Sequence, residues 1–517
     1  MRVKNSIFNI VAGLGNQIII TLLSFISRTV FINSLGIAYL GVNGLFTNIL
    51  AMLTLAEAGI GASIMYSLYK PVAENNQMKI IVLMNFYRKA YQVIALVVLL
   101  LGISVMPFLE YFIKDSTIED LYLIYGVFLL NTVLPYLYVY KNTFLNVCQK
   151  GYIVTGIYSV SSIVSTCLKI GILHFSKNYV LYLVVESIIT IITSIFLSIT
   201  VNKIYPFLKN KVSSKLDSET KNNIIKNIKA ILLQNIGNYL VFGTDNIIIS
   251  SFISVAAVGI YSNYNMLIEI CRTFINQIFN NIYHSVGNLV ANEDIEKIYR
   301  IYKVYMLLNF WLYSFFTIAL CIMIEPFISL WLGTSFLMDK SVLIILMVIF
   351  YERGMRNSIT TIKTTSGIFH EDRYASLCQA AINLIVSIVL VQYIGIAGVF
   401  IGTLVSALAI PFWVTPCLVY KKVFNKPVKV YFLKYMQYIV LGIGAYLLTS
   451  FICSFILVKD VLSLIVRAGI CFIVPNIVYI IIFYKTAEFK YLLGIFKRIM
   501  GVLLAKAKIT NKIRKVN

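Results

Sequence analysis

Long apolar runs alternate with short lysine-rich intervals along this chain, and the length of the runs decides the element they form. A helix needs about 20 mainly apolar residues to cross the hydrocarbon core of a bilayer. Runs of that length predict fourteen transmembrane helices, at about 8–31, 40–66, 90–112, 121–140, 152–174, 179–201, 231–254, 258–284, 303–325, 341–364, 375–393, 396–419, 433–457 and 461–484. The run at 341–364 is the least uniform, because Glu352, Arg353, Arg356 and Lys363 follow an apolar stretch ending at Tyr351. The first run holds Asn16, Gln17 and Arg28 and lacks a small-residue cleavage site, so it reads as a span rather than a cleaved leader.

Composition agrees with a membrane chain. Of 517 residues, 59% are apolar and 13% charged, against about 45–50% and about 25% in a soluble domain. The eight cysteines contain no CxxC, and the three histidines (His174, His284, His370) lie far apart. That pattern excludes a soluble enzyme, a disulfide scaffold and a metal domain.

The formal charge of +23 changes the picture through its placement. With the N-terminus in the cytoplasm, cytoplasmic segments hold 36 of the 44 basic residues, and the opposite loops hold only Lys114, Lys177, Lys340 and Lys459. By the positive-inside rule both termini are cytoplasmic, as an even number of spans requires. The excess therefore reflects topology and contact with anionic inner-leaflet lipids, and no nucleic-acid partner is expected. The interval 204–230 reads as a basic cytoplasmic linker, and the tail 485–517 as a basic amphipathic helix on the inner leaflet or a solvated tail.

A shift of 218 to 222 residues aligns Phe31-Ile32 and Leu40-Gly41-Val42 with Phe252-Ile253 and Val258-Gly259-Ile260, and Gly151-Tyr152 with Arg373-Tyr374. The offset predicts two pseudo-symmetric six-helix lobes, 1–203 and 231–425, followed by two further helices in 426–484. Parallel repeats of this kind are a transporter plan, with the substrate site near mid-membrane.

Polar residues inside spans are costly and normally face protein or water. Span one carries Gln17, Thr21, Ser24 and Arg28 on one face; span two carries Asn43, Thr47, Thr54 and Glu57. Span seven carries Gln234, Asn238 and Asp245, and span eight Ser262, Asn265, Glu269, Arg272, Asn276 and Asn280. Span ten aligns Glu352, Arg356, Thr360 and Lys363. Arg28 and Arg272 present planar forks suited to two phosphate oxygens. Arg28 lies near an outer end, where it can instead reach the head groups, and Arg272 can pair with Glu269 one turn earlier. Glu57, Asp245 and Glu269 either hold the arginines or bind a coupling ion, and Asp245 can simply bond polar neighbours. Lys169 and Arg467, near outer ends of their spans, are expected to snorkel to the head groups.

Several stretches carry a family resemblance: Thr244-Asp245-Asn246-Ile247-Ile248-Ile249 through Val258-Gly259-Ile260-Tyr261, Leu55-Ala56-Glu57-Ala58-Gly59-Ile60-Gly61, and Tyr393-Ile394-Gly395-Ile396-Ala397-Gly398-Val399. With the span order, they resemble the polysaccharide transporter family, the Wzx-type oligosaccharide flippases of the multidrug/oligosaccharidyl-lipid/polysaccharide exporter superfamily. The resemblance implies an all-α integral membrane fold of the multidrug-exporter type, with two lobes and alternating access. It also implies movement of undecaprenyl-diphosphate-linked oligosaccharide repeat units across the bacterial cytoplasmic membrane for surface polysaccharide synthesis. Related peptidoglycan-precursor flippases place arginines on helices one and eight, where Arg28 and Arg272 stand. Their arginine on helix two has no counterpart here, because span two holds Glu57 and no basic residue; another glycan fits better.

On this reading the protein is not an enzyme. Arg28 and Arg272 bind the diphosphate, with Arg356 and Lys363 assisting on the cytoplasmic side. Asn16, Gln17, Asn265 and Asn276 bond sugar hydroxyls. Glu57, Asp245 and Glu269 are the candidates for coupling to H⁺ or Na⁺, and no metal or cofactor is expected. A polysaccharide polymerase and a chain-length regulator are the implied protein partners. Two alternatives stay open: a cation-coupled multidrug exporter of the same superfamily, which wants acidic groups free of arginines, and a membrane-embedded glycan polymerase or ligase, which wants a larger outer loop.

Overall fold

The computed structural model describes residues 2–57, 60–114, 118–148, 150–210, 216–218, several positions within 222–241, and then 243–368, 371–458, 460–495 and 497, excluding the side chains of 2–18 and of some other helical residues. Most of the 204–230 linker, Gln234, Asn238, the Asn280 side chain and the tail beyond 497 lie outside the described residues. Every regular element described is helical. The chain divides into two compact units: unit 1 is 1–262 with 383–399, and unit 2 is 263–382 with 400–517.

Unit 1 opens with α1 (Arg2–Leu35) and α2 (Ile37–Leu53), which diverge by 119° across Gly36. Gly36 has φ +86°, a left-handed conformation that costs glycine nothing, and its N–H still donates to the Ile32 carbonyl at 2.9 Å. The continuous span expected at 40–66 is corrected. Helix α2 stops at Leu53, a 3₁₀ turn covers Thr54–Glu57, and α3 runs from Ile60 to Ala73. Thr54 Oγ1 turns back onto the Ala51 carbonyl at 2.8 Å, and the Gly59-Ile60-Gly61 sequence has low helix propensity.

Helix α4 (Gln77–Val105) precedes α5 (Leu121–Val133) and α6 (Val139–Val147), with a 3₁₀ turn at Leu134–Leu137 and a bend of 47° between α5 and α6. Pro135 accounts for that bend, since it cannot donate a helical hydrogen bond. Then come α7 (Gly151–Phe175), α8 (Tyr179–Ile204), α9 (Asp245–Phe252) and the start of α10 (Val255–Asn292). Phe46 against Tyr125, with ring centroids 5.2 Å apart, sits in the core of this unit.

Unit 2 takes the rest of α10, then α11 (Ile295–Trp331), α12 (Lys340–Met355) and α13 (Asn357–Thr365). The boundary between units falls within α14 (Ala375–Ile394) and α15 (Ile396–Ala409); unit 2 continues through α16 (Pro411–Val419), α17 (Lys429–Ser454) and α18 (Val461–Phe483). At 38 residues, α10 is about 57 Å long, far more than the roughly 30 Å hydrocarbon core. The span expected at 341–364 breaks at Arg356, between α12 and α13. Asn309, fully buried on α11, donates through Nδ2 to the carbonyls of Gly354 (2.9 Å) and Met355 (3.1 Å), which compensates carbonyls at the break. In the core, Phe310 stacks on Tyr438 at 4.4 Å.

The outward surfaces of α4, α17 and α18 carry Leu96, Leu100, Val440, Leu447 and Ile477, all large, apolar and exposed. Only acyl chains cover such a surface stably. Eight described helices are long and apolar enough to cross a membrane, or ten if each of two bent pairs counts as one span. The protein is an all-α, multi-pass membrane protein, and the count of fourteen is not reached among the described residues.

Candidate functional site: charged clusters within the helices

In unit 2, a row of polar residues runs along α10. Asn265, Glu269, Arg272 and Asn276 follow at steps of four, three and four, which stacks them on one face. Arg272 Nη1 is paired with Glu269 Oε1. The pairing alternative for Arg272 is therefore the one found, and Glu269, a coupling candidate, is its partner. The arginine side chain is 23% exposed and the glutamate 44%, so the pair is reachable by water. Asn265 is half-buried and Asn276 exposed.

The end of α12 adds two more guanidinium groups. Arg356 and Glu352, one turn apart, form a two-point pair: Nε lies 2.5 Å from Oε1, and Nη2 donates to Oε2 at 3.0 Å. Arg353 lies within electrostatic reach of Arg272, Glu269, Arg356 and Tyr313. This cluster brings three guanidinium groups together with the carboxylates of Glu269 and Glu352. Arg353 was the member missed in reading the sequence for site residues; its signal was a third arginine beside Glu352 in an otherwise apolar run. Lys363, on α13, is paired with Asp372, and both side chains are nearly buried. Its charge is thereby matched within nine residues of sequence.

Unit 1 holds Arg28, whose Nη1 donates to Ser262 Oγ at 3.1 Å; that hydroxyl donates in turn to the Gly259 carbonyl at 2.8 Å. Tyr182 is within electrostatic reach of the same guanidinium. Lys169 does not snorkel, contrary to the sequence expectation. Its ammonium lies 3.1 Å from Glu186 on α8 and 4.7 Å from the Tyr182 ring centroid. Glu186, alone in an apolar stretch, was overlooked as its partner; a lone carboxylate in a span was the available signal.

Arg467, in unit 2, also departs from expectation. Its Nη2 donates to the carbonyls of Cys453 (3.0 Å) and Ile456 (3.1 Å) at the end of α17, so it caps a helix. In unit 1, Glu57 ends the 3₁₀ turn and accepts a hydrogen bond from the Tyr91 hydroxyl at 2.7 Å, with Tyr136 bonding it as well. Asp245 opens α9 and is buried at 6% exposure. Asn16 and Gln17 lie in α1, but their side chains are outside the described residues. Among the described residues, no group of three or more His, Cys, Asp or Glu could hold a metal ion.

Residues 3–283 match the sequence model of the family described as "Polysaccharide biosynthesis protein". No curated protein matches the sequence. Among solved structures, the lipid II flippase MurJ in an inward closed conformation superimposes with a TM-score of 0.61 at 14% identity, covering 90% of this chain and 99% of that one. An inward-facing multidrug resistance MATE family transporter of the MOP superfamily gives 0.58 at 13%, covering 75% and 92%. The Vibrio cholerae MATE transporter VcmN, as a mutant, gives 0.56 at 15%, covering 78% and 95%. At such identities the likeness is one of fold. The family match covers more than half of the chain, and the fold is shared with the transporter and flippase structures above. The chain therefore belongs to the polysaccharide biosynthesis protein family.

Proposed function

We propose that the protein is a flippase for polyprenyl-diphosphate-linked glycans, of which undecaprenyl-diphosphate-linked oligosaccharide repeat units are the substrate class. The observation that carries this reading is the gathering of guanidinium groups in unit 2, where Arg353 lies within electrostatic reach of both Arg272 and Arg356. A diphosphate offers paired oxygens to such planar forks. Arg28, in unit 1, and Lys363, in unit 2, are further candidates for phosphate binding. Asn265 and Asn276, with Asn16 and Gln17, bond sugar hydroxyls, and the polyprenyl tail stays in lipid.

Transport proceeds by alternating access between the lobes 1–203 and 231–425 and needs no bond chemistry. The protein sits in a bacterial cytoplasmic membrane with both termini inside, as the lysine bias requires. A glycan polymerase and a chain-length regulator act on the product. Glu57, Asp245 and Glu269 are the groups through which H⁺ or Na⁺ would be coupled.

Cation-coupled drug export is the rival, supported by the multidrug transporters that share the fold. It wants acidic groups open to a cationic ligand, and both Glu269 and Glu352 are engaged by arginine. The test is Arg353→Ala against Arg353→Lys in a strain deleted for the gene, with protein abundance measured in the membrane. The alanine variant should abolish surface glycan at normal abundance, and lysine should restore part of it. Normal glycan export by a stably inserted Arg353→Ala protein overturns the reading; so does a drug-sensitivity phenotype of the deletion with intact glycan.

A further inference from the structure

We propose that a cavity in unit 2, on the lipid side of α11 and α17, holds the phosphodiester head group of an anionic phospholipid. The cavity has a volume of about 300 Å³, at the small end of the range for ligand sites. None of the arginines of the candidate substrate cluster lines it. Its lining combines basic and apolar side chains.

Lys303 of α11 and Lys434 of α17 both line it. The Lys303 ammonium lies 3.5 Å from Glu488, in a helical segment at 487–495 that follows α18. Lys434 forms no ion pair among the described residues; its ammonium lies 5.0 Å from the Tyr438 ring centroid. Met306 and Leu307 sit one turn along α11 from Lys303, and Val430 and Leu433 precede Lys434 on α17. Leu433 is exposed, on a surface already assigned to acyl chains. An ammonium pair beside exposed apolar side chains suits a phospholipid, with phosphate on the lysines and acyl chains along the neighbouring apolar surface.

Charge selects among phosphates. Lys303 and Lys434 face one carboxylate, Glu488, for a net charge of +1. The neighbouring Lys426, 4.9 Å from the lining Tyr299 ring, is matched by Glu296 at 2.9 Å and leaves that sum unchanged. A phosphodiester carries one negative charge and is neutralised there. A diphosphate carries more and is not. The lysine bias puts this end of the helices in the cytoplasm, where anionic lipids concentrate.

The test uses the purified full-length protein in detergent, titrated with dioleoyl phosphatidylglycerol or dioleoyl phosphatidylcholine and read by native mass spectrometry. One phosphatidylglycerol should be retained selectively. Lys303→Ala with Lys434→Ala should weaken its binding by about tenfold or more. Should the double variant fail to fold, Lys434→Gln alone removes a side chain with no ion pair and should weaken binding several-fold. Glu488→Gln should tighten it. Equal retention of the two lipids, unchanged binding in the lysine variants, or displacement by inorganic phosphate or pyrophosphate would each overturn the proposal, the last by assigning the site to a soluble anion. The substrate reading does not depend on the result, since it rests on other residues.

Discussion

Gly41 lies so close to the carbonyl of Val255 that a Cβ built on it would overlap the oxygen. Gly259 stands in the same relation to the carbonyl of Ile37. Gly41 and Gly259 are 218 residues apart, as are Ile37 and Val255, the first residues of α2 and α10. The contact is therefore reciprocal: each helix offers a glycine to the opening residue of the other, at positions that the internal repeat equates. Only glycine permits backbones to meet at this distance.

Gly41→Val and Gly259→Val should each force the two helices apart. Overpacking of this kind costs about 1–3 kcal/mol, and backbone rather than a flexible side chain is what must yield. The expected outcome is a lower melting temperature in detergent, followed by fluorescence size-exclusion. Wild-type melting in both variants would mean that the crossing adapts.

The Lys169–Glu186 pair should be a structural link between α7 and α8. Glu186→Gln leaves a mostly buried ammonium without its counter-charge. Losing the partner of a buried pair costs about 3–5 kcal/mol, reduced to about half because Glu186 is a third exposed. The double variant Lys169→Met with Glu186→Leu should recover much of that loss. A double-mutant cycle on melting temperature measures the coupling, and additive losses would rule out the link.

Asn309→Ala should destabilise the break between α12 and α13. Two carbonyls, of Gly354 and Met355, lose the amide that bonds them. Burying such groups unpaired costs about 1–3 kcal/mol. Hydrogen exchange in α13 should accelerate at its first turn; unchanged exchange would show that other groups satisfy those carbonyls.

Asp460 caps α18, accepting hydrogen bonds from the Ser463 amide at 2.8 Å and from the Ser463 hydroxyl. These donors favour the ionised form and hold its carboxyl below the usual carboxylate range. A depressed acid contributes stability that is present above its ordinary pKa, about 3.9, and is lost as pH falls through the lower folded value. Amide protection at Ser463 should thus decline on acidification below about pH 4. In Asp460→Asn the cap persists and the protection should no longer vary in that window. An identical acid profile in the two proteins would exclude Asp460 as the group responsible.

The sequence by itself determined the class of the protein. Apolar runs long enough to span a bilayer, and basic residues confined to alternate intervals, are properties summed along the chain and need no partner to be read. The equivalence of Gly41 with Gly259 was also legible, since the internal repeat aligns the two positions. The family resemblance, which rested on short motifs and span order, is met by the family match over residues 3–283.

Tertiary structure decided which charges meet. Lys169 finds Glu186 on another helix, and Arg467 finds carbonyls of the preceding helix. Arg353 comes within reach of Arg272 although 81 residues separate them. Helical periodicity places a side chain on a face but does not say what that face touches. The low-dielectric interior makes each unmatched charge expensive, so the partners are fixed by packing between helices, which no local pattern records. The break at Arg356 belongs to the same class: Asn309, distant in sequence, bonds the carbonyls that the helix end leaves open.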